Sequence, residues 1–152
     1  MSVPGDIRVS LLLCDAAQVV ADKLYILGGG WSYLWLAEPG AQLGMTLAVD
    51  VSVPWELGNR PLGVKLRLLN EDNENVTAGD NEEPVLVEGQ LVAGRGPLAR
   101  PGTDLKVPLA LQIPPLVLDP GGYVWMMSID DQPVARAPFQ VALLGQNPGG
   151  PT

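Results

Sequence analysis

Few residues in this 152-residue chain could do covalent chemistry. Histidine is absent and Cys14 is the one cysteine, which removes the imidazole base, the Cys/His dyad, every His-containing zinc site and any intrachain disulfide. Cys14 closes an apolar strand and reads as a small buried side chain rather than a reactive thiol. Carboxylates remain, seventeen Asp plus Glu. Two of them could cleave a glycosidic bond without histidine, yet no spacing picks out a pair. Asp15, Asp22, Asp130 and Asp131 stand beside turn signals, where aspartate bonds local backbone. The chain is expected to be no enzyme, to hold no catalytic residue and to need no cofactor.

Three stretches invite a binding role. Gly28-Gly29-Gly30 follows a strand, but Tyr33 stands where a dinucleotide loop needs its last glycine, and a strand follows rather than a helix. A P-loop would need Lys and Ser/Thr where Trp31 and Ser32 stand. The glycines are expected to let a bulged or sharply bent strand pass close to a neighbour. The stretch Glu71 to Glu83, EDNENVTAGDNEE, carries six carboxylates, a density of oxygen ligands that suits calcium. As an EF-hand loop begun at Asp72 it has Val76 at the fifth position and Thr77 where glycine is required, so a solvated loop is the expectation. Trp31, Tyr33 and Trp35 fall at i, i+2 and i+4, on one face of a strand whose other face carries Leu34 and Leu36. One face must meet a core. The other is left for a loop, another subunit or a ligand, and these three aromatics are the candidate interface or ligand residues.

The elements that position them are strands. Met45, Leu47, Val49, Val51 and Val53 alternate with Thr46, Asp50 and Ser52; Leu105 to Ile113, Tyr123 to Asp130 and Phe139 to Leu143 repeat the period of two. Further strands are expected at Ile7 to Leu13, Leu24 to Leu27, Trp31 to Leu36, Val64 to Leu69 and Val85 to Ala93. Turn chemistry separates them, at Asp22-Lys23, Glu38-Pro39-Gly40, Asp119-Pro120-Gly121-Gly122 and Asp130-Asp131-Gln132-Pro133 among others. The predicted fold is all-β, a single antiparallel β-sandwich of immunoglobulin-like or Greek-key type, with about eight or nine short strands. Helix is limited to one short turn at Pro54 to Leu57. Pro108 lacks an amide donor and marks its strand as an edge or a bulge. Residues 1–144 make the one domain, and 145–152, GQNPGGPT, a disordered tail.

Nine Lys plus Arg against those seventeen acids leave a net charge of −8. Such a field repels nucleic acid and anionic lipid, and no basic patch overrides it. The apolar runs fall far short of the roughly 20 residues that span a bilayer, and the N-terminus has no basic region or cleavage site of a secretory signal. A cytoplasmic location is expected, with neither nucleic acid nor membrane as partner.

The segments LLLCDAAQVVADKLYILGGGW (Leu11 to Trp31) and PGGYVWMMSIDDQPVARAPFQV (Pro120 to Val141) resemble an uncharacterised, mainly actinobacterial family of small single-domain proteins. Its pattern is a strand, an Ala-Gln-Val turn region, a Gly-Lys-Leu hairpin, a Gly-Gly-Gly-Trp segment and a closing strand pair. Here Asp22 stands where a glycine commonly precedes the lysine. The resemblance implies a domain of unknown function and transfers no activity and no catalytic residue. The closing strands also look like those of immunoglobulin-like modules, including modules in bacteriophage virions, an analogy of fold alone. The expected function is a non-catalytic interaction or assembly module, acting on a protein partner or by self-association. A ligand-binding module, taking carbohydrate on the aromatic strip or calcium in the acidic loop, is the alternative. A virion or other lattice component is a further one.

Overall fold

The computed structural model describes residues 7–145. Apart from Gly145, the tail expected to be disordered lies outside them, as do residues 1–6. The chain runs β1 (Arg8–Val20), β2 (Lys23–Gly29), β3 (Tyr33–Leu36), β4 (Gln42–Val53), β5 (Pro61–Asn70), β6 (Thr77–Ala78), β7 (Glu83–Pro84), β8 (Leu86–Val92), β9 (Leu105–Val117), β10 (Gly121–Ile129) and β11 (Gln132–Leu143), with one 3-10 turn at Trp55–Leu57. The nine strands expected from alternation are all present with shifted ends, and the helical turn falls inside the expected Pro54 to Leu57. β6 and β7 are a two-residue pair within the acidic loop.

Two sheets form the sandwich. One has the order β2-β1-β4-β9 and the other β3-β11-β10-β5-β8, so the chain crosses between sheets after β2, β3, β4, β8 and β9. Every pairing in them is antiparallel save one, since β3 lies parallel to β11. Pro108 sits on β9, an edge strand as expected.

The period-2 strands face each other across one core. Leu47, Val49, Val51 and Val53 of β4 and Leu66, Leu68, Trp125, Met127 and Ile129 of the opposite sheet have no exposed surface. Burying each such side chain stabilises the fold by about 1.5–3 kcal/mol before entropy is counted. Trp125 joins the two sheets, its indole Nε1 donating to the Met45 sulfur at 3.3 Å.

Substitution there has a defined cost. Trp125→Ala removes the largest fully buried side chain and is expected to lower stability by about 3–5 kcal/mol. Leu98→Ala, at a residue 93% exposed, should change it by less than about 0.5 kcal/mol. Urea midpoints of the two variants against wild type check both.

Candidate functional site

The aromatic trio divides. Gly30 takes φ +88° and bonds Leu13 O through its amide at 2.8 Å, which turns the chain before β3 begins at Tyr33. Trp31 therefore precedes the strand and does not share a face with the other two, as the i, i+2, i+4 spacing had implied. It packs edge-on against core Phe139, ring centroids 6.5 Å apart at 88°, and its buried Nε1 has no partner. A buried donor left unpaired costs about 1–3 kcal/mol. Tyr33 and Trp35 do lie together on the outer face of their sheet, 60% and 50% exposed, opposite Gln140 and Ala142 of β11. Tyr33 borders a shallow cleft of about 300 Å³ whose polar wall includes Ser32, Asn70, Arg136 and Gln140. Arg67 and Arg136 flank Met126 in one row of that face, and neither enters an ion pair among the described residues.

The acids do not gather. Among the described residues no three or more His, Cys, Asp or Glu side chains sit together as a metal-binding group. The loop that begins at Glu71 is built by backbone caps: Asn70 Oδ1 accepts from the amides of Asp72 at 2.9 Å and Glu74 at 3.0 Å. Glu71 itself accepts from the Gly122 amide at 2.6 Å. Asp130 caps Gly63 N at 2.8 Å and Asp131 pairs with Lys65 at 3.3 Å, in keeping with turn roles. Asp15 is different. It lies within a strand, against the space where a Cβ on Gly28 would fall.

The potential nucleophiles are quiet. Cys14 is fully buried, its Sγ 3.5 Å from Thr46 O; burial first and the Asp15 charge second push its thiol above the ordinary 9.0. Tyr123 stacks on Phe139 at 5.6 Å and donates to Asp119 O at 2.7 Å. Burial, then the Asp119 charge, raise its phenol above 10.0.

A feature missed in the sequence lies at the other end of the first sheet. β1 does not stop near Cys14, nor is its Ala-Gln-Val stretch a turn. Its pairing with β4 ends at Cys14↔Thr46, while its pairing with β2 runs on from Cys14↔Gly29 to Val20↔Lys23. Residues 15–28 thus form a two-stranded ribbon beyond the sheet, closed by a two-residue turn at Ala21 and Asp22, both at positive φ as a type I′ turn requires. At its base, Asp15 faces Gln112, Pro114 and Pro115 of β9 across a groove of about 640 Å³. From the register, Ala17, Val19, Leu24 and Ile26 share one face, and Gln18, Val20, Tyr25 and Leu27 the other. Apolar side chains are exposed on both: Val19 and Ile26 on the first, Val20, Tyr25 and Leu27 on the second, with Leu27 at 72%. The apolar residues on either side of a two-residue turn were the available signal.

β2 is also the edge of its sheet, and the edges are treated unequally. β9 carries Pro108, Pro114 and Pro115, β3 has four residues, and β8 follows Pro84 and holds Glu88 and Gly89 at its centre. These are the usual devices against edge pairing. β2, KLYILGG, has no proline and no acid, and its one charge is Lys23 at the tip.

Fold and surface together define a small β-sandwich whose outer features are an apolar ribbon and an aromatic edge. Residues 9–142 match the family of unknown function DUF6941, and the chain belongs to that family. Comparison with curated proteins finds no match. Among solved structures the chain is similar to the Pseudomonas fluorescens alkylpurine DNA glycosylase AlkC bound to DNA containing an abasic site analog, with TM-score 0.43 and 11% identity. The likeness covers 90% of this chain and 30% of that one, and at this TM-score it carries no argument about function.

The two shifted groups give a pH dependence. Both hold their protons more tightly folded than unfolded, so the folded state loses stability as pH rises past the thiol's ordinary 9.0 and then the phenol's 10.0. Urea midpoints should be level from pH 7 to 8 and fall above pH 9. In Cys14→Ala, whatever its baseline, the early part of that fall should vanish. Cys14 should react with a thiol reagent only after denaturant is added.

Proposed function

We propose that this protein is a non-catalytic contact module that works by docking on protein through its β1–β2 ribbon. One observation carries the reading: a two-stranded ribbon is marginal alone in water, yet this one holds apolar side chains on both faces and ends in an unguarded edge. Partner binding by strand addition uses such an edge, with main-chain bonds giving affinity and alternate side chains giving specificity. The chemistry of the chain agrees, since its thiol is buried and its carboxylates cap backbone or spread over the surface. A net charge of −8 disfavours nucleic acid and anionic membrane as partners. Among the described residues no helix is long and apolar enough to cross a membrane. A bacterial, cytoplasmic setting goes with the reading, because the sole cysteine is an unpaired buried thiol suited to a reducing compartment. A place in a virion or another repeating lattice is a special case of docking.

A second reading has its own observation. Tyr33 lines a cleft walled by Asn70, Arg136 and Gln140, and Trp35 is exposed on the same strand, a combination of exposed aromatics and polar groups that suits a sugar ring.

Immobilised protein tested against extract of its source organism separates the two. Leu27→Lys, at an exposed position that leaves the fold intact by circular dichroism, should lose any protein that wild type and Trp35→Ala retain. A monomer that holds nothing from the extract overturns the docking reading. Tryptophan fluorescence that responds to one member of a glycan panel in wild type but not in Tyr33→Ala would favour the sugar instead.

A further inference from the structure

Resting on the sugar reading rather than the docking one, we infer that the cleft beside Tyr33 takes an acidic sugar, a pyranose ring that carries one carboxylate, with Arg136 as its anchor. The strand register lays the site out. Arg136, Pro138 and Gln140 stand at every second residue of β11 and share its outer face. Val124 lies opposite Pro138, Gly122 opposite Gln140, and Tyr33 on the other side of Gln140. Val124 is buried, so it and Pro138 make an apolar floor between two polar ends. Arg136 is one end. Glu71 and Gln140 are the other, and a glycine lets them meet there: a Cβ on Gly122 would fall 2.9 Å from Glu71 Oε1 and 3.0 Å from Gln140 Nε2. Glu71 Oε1 accepts from the Gly122 amide at 2.6 Å, which fixes the carboxylate and leaves its second oxygen for a ligand hydroxyl. The cleft that Arg136, Glu71, Gln140 and Tyr33 all line holds about 300 Å³, at the small end of the range for ligand pockets, which suits a single ring.

Charge separates an acidic ring from a neutral one. The five strands of this sheet hold one acid, Glu88, against Lys65, Arg67 and Arg136. Lys65 is answered twice, by Glu88 opposite it in the ladder and by Asp131 at 3.3 Å. Arg67 and Arg136, on either side of Met126 and about 10 Å apart at Cα, enter no ion pair among the described residues. In a chain with seventeen acids for nine cations, two neighbouring arginines without an acid make a local positive field against a net charge of −8. A carboxylate set on Arg136 gains a charge-assisted bidentate pair. Glu71 at the opposite end accepts only from hydroxyls and repels a second acid. One carboxylate at one end, hydroxyls at the other and a ring over the apolar floor are the groups of an acidic sugar.

Titration calorimetry of the full chain with galacturonate against galactose, and glucuronate against glucose, tests this, since the members of each pair differ only at the carboxylate carbon. Each uronate is expected to bind at least tenfold more tightly than its neutral partner, and added salt should narrow the gap. Arg136→Gln, an exposed substitution whose fold is checked by circular dichroism, should abolish the preference. Arg100→Gln, which removes the same charge from an exposed stretch between β8 and β9, should keep it, so that net charge is excluded as the cause. Neutral rings bound as well as acidic ones, here or on the glycan panel, overturn the inference and leave the sugar reading standing. So does a preference that survives Arg136→Gln or is lost in Arg100→Gln. If no sugar of either kind binds, both fall, and the docking reading is untouched.

Discussion

A β-sandwich buries its core between two sheets but leaves a row of unpaired amides and carbonyls along each open edge, and the rest of this structure follows from how those rows are met. Water satisfies them only while no other strand arrives. Three of the four edges here are blunted, by prolines in β9, by brevity in β3 and by a charge and glycine in β8. The parallel seating of β3 on β11 is itself such a device: Ser32 O, just before the strand, accepts from Gln140 N and Leu36 O, at its end, from Leu144 N, covering an edge that β11 would otherwise expose.

The unblunted edge belongs to the part of the fold that the core does not hold. Between Arg8 and Cys14, β1 lies on β4 and its inward residues share in the sandwich. Beyond Cys14 its one strand partner is β2, although β2 also approaches β9. Gly28 and Gly30, both at positive φ, mark the place where the returning strand bends to rejoin the body. A Cβ on Gly29 would meet Ile26 and Leu12 side chains at 2.8 and 3.0 Å, so the triple glycine allows close approach of neighbouring side chains. The neighbours that come close are aliphatic at Gly29 and the Asp15 carboxylate at Gly28.

Legibility in the sequence tracks this division. β4, β9 and β10 were readable because a strand with one face on a core must alternate, and Met45 to Val53 does so without a break. Ala16 to Val20 does not alternate, because beyond Cys14 the ribbon leaves β4 and neither of its faces lies on the core, and the strand was cut short there. Trp31 was misplaced for a related reason: period-2 counting assumes unbroken extended backbone, and Gly30 breaks it. Tyr33 and Trp35 were picked out as interface or ligand candidates from residue type and alternate spacing, and both are exposed. The cleft beside them was not, since Arg136 and Gln140 reach it from the far end of the chain through strand order, which a single sequence does not encode locally.

An exposed edge with apolar flanks is ordinarily an aggregation hazard, and the two edges of the β2-β1-β4-β9 sheet meet it differently. β9 carries Pro108, Pro114 and Pro115, so it offers no full ladder of donors to an incoming strand. β2 has neither proline nor acid between Lys23 and Gly29. The distribution of proline between β9 and β2 therefore confines strand addition on this sheet to one edge, which is what a docking surface of limited extent requires.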